Sequence, residues 1–190
     1  GYILNGKKKY VMFADVSDYF AILANSKEGL IFVLVNKDSE GLEIKQTSSL
    51  DQTRPMCEIN MKDILISDDE IMIGSHSCIN TWEKVKNISL GYLAMEQVGG
   101  AQACLDMSTQ YAKERIQFGR PIGSFQAIQH ICANMLLQLE SAKSVAYSAV
   151  RTDTSEDLEV EMSAMLAKSY CSEVFNKIAG DNIQVHGGIG

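Results

Sequence analysis

The spacing of apolar residues changes once along this chain, and that change constrains the fold more than any other feature. Up to about residue 75 the apolar residues form short runs between turn residues, which is typical of β-strands. From about Thr81 onward they recur every three or four residues, which is the period of an α-helix. The sequence therefore predicts an α+β fold, with a β module over 1–75 and a helical module over 76–190.

The first module is predicted to be a partial antiparallel β domain of short strands. Asn5-Gly6 favours a type I′ hairpin turn, because both central residues of that turn need positive φ. Asn25–Gly29 is a second turn-rich stretch. Strands and helices do not alternate, so we do not expect a Rossmann unit. The predicted strands are Tyr2–Leu4, Tyr10–Phe13, Tyr19–Ala24, Leu30–Val35, Leu42–Lys45, Glu58–Met61 and Ile64–Ile66.

Three apolar stripes predict three long helices in the second module. Gly119-Arg120-Pro121 is expected to end the first helix, with Gly119 in the left-handed cap. Ser124 is the expected N-cap of the second helix, and Thr154 or Ser155 that of the third. Short loops make neighbouring helices antiparallel, so we expect an up-down bundle. The stripes are Val98, Ala101, Leu105, Ser108 and Ala112, then Phe125, Ile128, Cys132, Met135, Leu139, Ala142, Ala146 and Ala149, then Val160, Ala164, Ala167, Cys171, Val174 and Ile178.

Composition excludes several classes of partner. The formal net charge is −7 and the pI is about 5.0, whereas a nucleic-acid-binding protein usually presents a basic face, so we expect no nucleic acid. No apolar run approaches the ~18 residues that span a membrane, so no membrane contact is expected. The 5 cysteines are scattered and form no CxxC pair, which predicts reduced thiols and no metal site.

Two segments of the helical module have binding chemistry. In the first, Arg115 is placed at a helix end beside Gln117 and Phe118, where a guanidinium can hold a phosphate through two parallel hydrogen bonds. Arg115 could instead only complement the dipole of the helix C-terminus. The second is Gln184–Gly190, whose paired glycines let backbone N–H groups approach a phosphate closely. Such a stretch also ends a helix without any ligand, and His186 alone is more typical of a structural hydrogen bond than of a base.

Taken together and in this order, these segments resemble the acyl-CoA dehydrogenase family. The resemblance is carried by Tyr111–Gln126 and by Gln184–Gly190 at the end of the next helix but one. The first module fits as well, through Leu4-Asn5-Gly6, Asp18 and Asp51-x-Thr53-Arg54. The resemblance runs essentially end to end. It implies the later part of the family's middle β domain over 1–75 and an incomplete C-terminal bundle over 76–190, in a chain truncated at both ends.

The resemblance implies an FAD site shared between subunits of a homo- or hetero-oligomer, a dimer or a tetramer. Arg115 would pair with the pyrophosphate. Tyr111 is a candidate substrate contact. The residues implied in the FAD site of the helical module are Arg115, Gln117, Phe118 and Gln126, with Gln184, Val185, His186, Gly187 and Gly188 around the adenine end of a partner's FAD.

A third implied contact lies in the β module. Tyr10-Val11-Met12 falls where many family members carry a Trp-Ile-Thr stretch against the flavin ring. Tyr10 keeps an aromatic side chain, but Met12 lacks the threonine hydroxyl that would bond near the flavin N5. The resemblance therefore implies a flavin environment that differs from that of those members.

The family's reaction removes an α-proton from an acyl-CoA thioester while hydride passes from the β-carbon to flavin. The product is the 2,3-enoyl-CoA, and the electrons pass to an electron-transfer flavoprotein. The base is a glutamate, which in one group of members lies thirty positions before the residue matching Gly119; here that position is Ser89, which cannot serve as the base. The catalytic carboxylate is thus expected beyond Gly190. Glu96, two turns from Ser89, is a candidate substitute, although a surface glutamate is the more ordinary interpretation.

Leu90 stands where some members carry an arginine that contacts the acyl-CoA, so the acyl group is not indicated. The resemblance implies a bacterial cytoplasmic or mitochondrial matrix location. Three alternatives remain: a non-catalytic subunit that shares an FAD site, an acyl-CoA oxidase or flavin monooxygenase relative, and a purely structural helical module.

Overall fold

The computed structural model describes residues 1–151 and 157–190 and divides them into two compact units. Gly1–Trp82 is the sheet unit, and Glu83–Gly190 is the helix unit. The domain boundary that we placed after residue 75 stays a prediction. Among the described residues, no helix combines the length and the apolar character that a membrane span requires.

The sheet unit contains two three-stranded antiparallel sheets. One has the order β1-β5-β4 and the other β2-β3-β6, and the apolar residues of both form one buried core. Ile59 on β5 and Val33 on β3 are the centre of that core, because each lies on the middle strand of its sheet. The strands are β1 Tyr2–Met12, β2 Tyr19–Ser26, β3 Gly29–Asn36, β4 Leu42–Thr47, β5 Met56–Ile66 and β6 Ile71–Ile73.

The prediction of a hairpin turn at Asn5-Gly6 is wrong. The chain continues through both residues as the single strand β1, which pairs with β5. The register shifts between Leu4 and Gly6, so two residues of β5 lie opposite one of β1, as in a β-bulge. Asn5 stabilises the bulge, because its Oδ1 accepts from the Asp63 N–H at 2.9 Å and its Nδ2 donates to the Asp63 carboxylate at 3.0 Å. Asp63 itself has a positive φ of 53°.

The same bulge explains a second difference. The predicted strands Glu58–Met61 and Ile64–Ile66 are one strand, β5, with the bulge between them. The predicted turn at Asn25–Gly29 is confirmed, and it closes a hairpin: β2 and β3 pair residue for residue from Tyr19 and Asn36 to Ser26 and Gly29. The chain therefore turns tightly at Asn25–Gly29 and not at Asn5-Gly6.

The helix unit is built from three long helices joined by short connections, and the first of these helices begins before Glu83, among the last residues of the sheet unit. They are α1 Ser75–Glu114, α2 Gln126–Arg151 and α3 Asp157–His186. Helix α1 begins six residues earlier than Thr81, where the apolar spacing predicted the start of the helical period. Gly91 lies against Ala149 and Gly123 against Ala112, so α1 and α2 run antiparallel. The predicted up-down bundle is confirmed. Its core is formed mainly by the predicted stripes: Ala94, Val98, Ala101, Leu105, Met135, Leu139, Ala142, Ala146, Ala167, Cys171, Val174 and Ile178.

The predicted helix caps are not those that form. Helix α1 ends at Glu114, so Gly119 does not cap it. Ser124 is not the N-cap of α2, because its Oγ donates to the Pro121 carbonyl at 2.7 Å, and the first helical N–H groups bond to the Phe125 carbonyl instead. The candidate caps Thr154 and Ser155 lie outside the described residues.

Candidate functional site

Helix α1 ends in a tight hairpin. The Arg115 N–H donates to the Tyr111 carbonyl at 2.8 Å, and the Arg115 carbonyl accepts from the Ile122 N–H at 2.8 Å, so the chain folds back immediately. Strand β7, Ile116–Gln117, pairs with strand β8, Arg120–Pro121. Phe118 and Gly119 form the turn between them.

Both turn residues have positive φ, 55° at Phe118 and 77° at Gly119, as a type I′ turn requires. Gly119 is therefore needed for the hairpin rather than for the helix cap. The Phe118 side chain is 90% exposed at the tip. Its ring makes an edge contact with Phe125 at 6.1 Å between centroids, and the Arg120 guanidinium lies 4.1 Å from the Phe125 ring centre.

Helix α3 ends beside this hairpin. A short 3₁₀ turn over Gly187–Ile189 follows His186, with φ of 66° at Gly187 and a hydrogen bond from the Gly190 N–H to the Gly187 carbonyl at 3.0 Å. Val185 is buried and anchors the end of the helix, whereas the glycines are exposed. The backbone of this turn is thus accessible from solvent.

The two helix ends line one open groove of about 480 Å³. Of the described lining residues, Arg115 is the one with a permanent charge, and most others are apolar or aromatic. A cation set in an apolar wall is suited to an anion attached to a flat or apolar group. The lining residues are Tyr111, Arg115, Gln117, Phe118, Ile122, Phe125, Ile128, Val185, His186, Gly188 and Ile189.

One wall of the groove is a stacked pair of rings. Tyr111 and His186 have ring centroids 4.3 Å apart and planes inclined by 24°. The His186 Nδ1 lies 2.8 Å from the Asn182 carbonyl oxygen. A carbonyl oxygen only accepts hydrogen bonds, so Nδ1 carries the proton and Nε2 is left for other partners. The pair offers a ligand an aromatic surface with a single polar atom on the imidazole.

The groove brings together many of the residues that the sequence singled out. Arg115, Gln117 and Phe118 from the first segment meet Val185, His186 and Gly188 from the second, together with Tyr111. Three others, Gln126, Gln184 and Gly187, are exposed but are not among the described lining residues. The role of each residue in cofactor binding stays a prediction.

The remaining candidates lie elsewhere. Tyr10-Val11-Met12 is the end of β1 in the sheet unit, and Tyr10 has a φ of 58° at a second shift of register with β5. Ser89 is exposed, and its hydroxyl donates to the Val85 carbonyl at 2.7 Å. Glu96 is exposed as well, whereas the hypothesis of a general base assumed partial burial; that role stays a hypothesis.

Sequence reasoning missed the apolar part of the groove. Ile122 and Ile189 were not singled out, and Phe125 and Ile128 were assigned to the core stripe of α2. All four are only partly buried or exposed. The available signal was that the α2 stripe continues to the very start of the helix.

The fold and the groove define a class: an α+β protein whose bundle carries an open, cationic groove at the shared end of two helices. Residues 90–190 match the family model of the acyl-CoA dehydrogenase C-terminal domain. The chain belongs to the acyl-CoA dehydrogenase family.

Individual relatives agree with that placement. The chain is 32% identical over 197 residues to a 3-(aryl)acrylate reductase of Clostridium sporogenes, covering 100% of this chain and 52% of the relative. It is 31% identical over 202 residues to CarC, a subunit of the caffeyl-CoA reductase-Etf complex of Acetobacterium woodii, covering 100% and 52%. A solved structure of PigA with FAD and proline superposes with a TM-score of 0.89 at 29% identity, covering 99% of this chain and 51% of that one. The chain thus spans about half the length of the relatives it matches.

Proposed function

We propose that the protein containing this chain is an FAD-dependent acyl-CoA dehydrogenase, and that the groove holds the diphosphate and adjoining adenosine of FAD. The observation that carries the proposal is that Arg115 and Gly188 line the same solvent-accessible groove. The FAD in the similar PigA structure supports the choice of cofactor.

The residues of the groove fit such a ligand. A guanidinium can donate two parallel hydrogen bonds to a diphosphate and stays charged at any physiological pH. Arg120 is already engaged over the Phe125 ring, so Arg115 is the better candidate for the phosphate contact. Gly188 has nothing within 4 Å of where a Cβ would lie, which leaves room for a ligand against the backbone. Tyr111 and His186 supply the aromatic wall.

When bound, FAD would supply the hydride acceptor for oxidation of an acyl-CoA thioester to its 2,3-enoyl-CoA. The residues of this chain would bind and orient the cofactor and exclude water from its adenosine end. Ser89 has no carboxylate, so we assign removal of the α-proton to a carboxylate at another position.

We also propose that the protein works as an oligomer and exchanges electrons with an electron-transfer flavoprotein. CarC, which matches the whole of this chain, is a subunit of a complex with Etf. The groove lies on the exposed ends of two helices, and the exposed Phe118 beside it is suited to a contact with a second subunit.

A second candidate is the reverse reaction, reduction of a 2,3-unsaturated acyl group. The observation that favours it is that two relatives matching the whole chain are both reductases. The direction can be tested by offering the purified holoprotein saturated and 2,3-unsaturated aryl-acyl thioesters with an oxidised or reduced electron carrier. Turnover of the unsaturated substrate alone would favour the reductase.

The test of the groove is Arg115→Ala, with Arg151→Ala as the control on the helix unit away from the groove. Loss of a charge-assisted phosphate contact should weaken FAD binding by about 1.5–3 kcal/mol, which is roughly ten- to a hundredfold. Arg115→Lys keeps the charge without the planar fork and should fall between. The measurement is flavin content after gel filtration, followed by titration of the apoprotein with FAD. Equal FAD affinity in the two alanine variants would contradict the assignment.

A further inference from the structure

A polar pair, buried at Ser108 and half-buried at Asn182, lies behind the groove and joins α1 to α3. The Ser108 hydroxyl, which has no exposed surface, donates to the Asn182 Oδ1 at 2.7 Å. The buried hydroxyl would be costly without this partner, because it cannot bond to water. The pair therefore holds α1 and α3 at a defined separation and rotation at this level of the bundle.

The pair lies one helical turn before the groove on both helices. On α1, Ser108 is followed three residues later by Tyr111, and on α3, Asn182 is followed four residues later by His186. Residues at these spacings share a helix face. The Asn182 carbonyl also accepts a hydrogen bond from the His186 Nδ1–H at 2.8 Å. The His186 ring stacks on the Tyr111 ring, with 4.3 Å between the ring centroids. One residue, Asn182, thus contacts both helices that form the ring wall.

The orientation of the Asn182 amide is set by its bond to α1, because its oxygen accepts from the Ser108 hydroxyl. Burial raises the pKa of the Cys104 thiol, one turn before Ser108 on α1, and the Asn182 side chain opposes that shift. The bond to Ser108 limits the rotation of the amide and ties the position of α3 to that of Tyr111.

We propose that Ser108 and Asn182 are positioning residues of the groove: their hydrogen bond sets the spacing of the Tyr111–His186 wall and thereby the affinity for the adenosine diphosphate portion of FAD. This inference rests on the proposed function of the groove. It adds that cofactor affinity depends on a hydrogen-bonded pair that does not line the groove.

The bundle offers a matched control. The Gln97 Nε2 donates to the Ser172 hydroxyl at 3.0 Å, which again joins α1 to α3 through a side-chain pair. Gln97 and Ser172 lie about three turns before Ser108 and Asn182 on their respective helices, away from the groove. A purely structural contribution of such pairs to the bundle should be similar at both levels.

The experiment compares Ser108→Ala, Asn182→Ala and the double variant with Gln97→Ala, Ser172→Ala and their double variant, all in the purified holoprotein. Three quantities are measured: the Tm, the FAD dissociation constant of the apoprotein, and the visible circular dichroism of bound flavin. We expect both sets to lower the Tm. Ser108→Ala and Asn182→Ala should each weaken FAD binding about tenfold, the double variant no more than the worse single one, and the Gln97 and Ser172 variants less than twofold.

Further variants separate the outcomes. Ser108→Cys keeps a weak donor of similar size and should recover part of the affinity, which keeps the test valid if Asn182→Ala fails to fold. If Arg115→Ala weakens FAD binding but Ser108→Ala lowers only the Tm, the positioning inference is wrong and the groove assignment stands. If Arg115→Ala itself has no effect on FAD affinity, the proposed function of the groove fails first.

Discussion

Each of the two units has its own core, and the two cores differ in the size of their side chains. The core of the sheet unit is rich in bulky β-branched residues such as Ile22, Val33 and Ile59, which fill the space between two sheets. The core of the helix unit contains many small residues such as Ala101, Ala142 and Ala167, which let helix backbones approach closely. The stability of the sheet unit therefore depends on the volume of its buried side chains, and that of the helix unit on the close approach of its helices. Removing side-chain atoms should destabilise the sheet unit most, whereas adding atoms between helices should destabilise the helix unit.

The largest expected effect is a cavity in the sheet unit. Ile59 is 1% exposed on the central strand β5, and Ile59→Ala should lower the free energy of unfolding of that unit by about 2–5 kcal/mol. Ile3→Ala, on the neighbouring strand β1 but largely exposed, is the control and should cost far less. Urea unfolding followed by the fluorescence of Trp82, the only tryptophan and part of the sheet unit, measures both. Equal losses of unfolding free energy in Ile59→Ala and Ile3→Ala would mean that buried side-chain volume does not determine the stability of the sheet unit.

The second effect is the converse, an added methyl group in the helix unit. A Cβ at Gly100 would lie 2.7 Å from the Phe175 ring, so Gly100→Ala should destabilise the bundle by about 1–3 kcal/mol. Its neighbour Gly99 has nothing within 4 Å of the same position. Gly99→Ala should therefore stabilise the helix by roughly 0.5–1 kcal/mol, through the better helix propensity of alanine.

The measurement for this pair is unfolding followed by far-ultraviolet circular dichroism, which is dominated by the helices. Opposite signs for two adjacent glycines would sharpen the comparison. A neutral Gly100→Ala would show that α1 and α3 can move apart without loss, and that close approach is not what holds the bundle.

The smallest expected effect concerns acid. The pKa of Glu58 is lowered first by a hydrogen bond from Lys7, whose Nζ lies 2.7 Å from the carboxylate. The pKa values of Glu28, Asp51 and Asp69 are also lowered, in each case first by a hydrogen bond from a nearby hydroxyl, and all four carboxyls lie in the sheet unit.

A carboxyl whose folded pKa lies below its unfolded value stabilises the protein above the unfolded pKa, near 4. That contribution is lost as the pH falls through the lowered pKa. The sheet unit should therefore lose stability as the pH falls between about pH 5 and pH 2. Urea unfolding followed by Trp82 fluorescence at several pH values measures this loss, and Glu58→Gln should make it smaller. An equal loss in Glu58→Gln and in the unmodified protein would contradict the contribution of the Lys7–Glu58 pair.

Two dipeptides show why local signals succeed or fail. Asn5-Gly6 has the stronger local preference for a type I′ turn, yet it lies within β1, because pairing along the whole of β5 buries more apolar surface than a short hairpin could. Phe118-Gly119 has little such preference, yet it forms the turn, because α1 and α2 pack antiparallel and leave only a short connection. In both cases the conformation was decided by a packing partner, which is β5 for Asn5-Gly6 and the antiparallel pair of α1 and α2 for Phe118-Gly119. The partner β5 lies far from β1 in sequence.

Periodicity was a better guide than turn chemistry. The stripes from Val98 to Ala112 and from Met135 to Ala146 were predicted as core positions and are buried or nearly so, since every turn of a long helix repeats the same signal. The caps at Gly119 and Ser124 were wrong because each rests on one residue with several satisfactory conformations. The apolar lining at Ile122 and Ile189 carried no periodic signal at all.

The sequence by itself determined the order of the two modules, the three helices and the chemistry available at their ends, because periodicity and side-chain type are properties of the chain. Only the tertiary structure decided that Arg115 and Gly188 line one groove, and that Ser108 and Asn182 meet behind it. These residues are separated by more than seventy positions, and their proximity follows from how α1 and α3 pack rather than from any local preference.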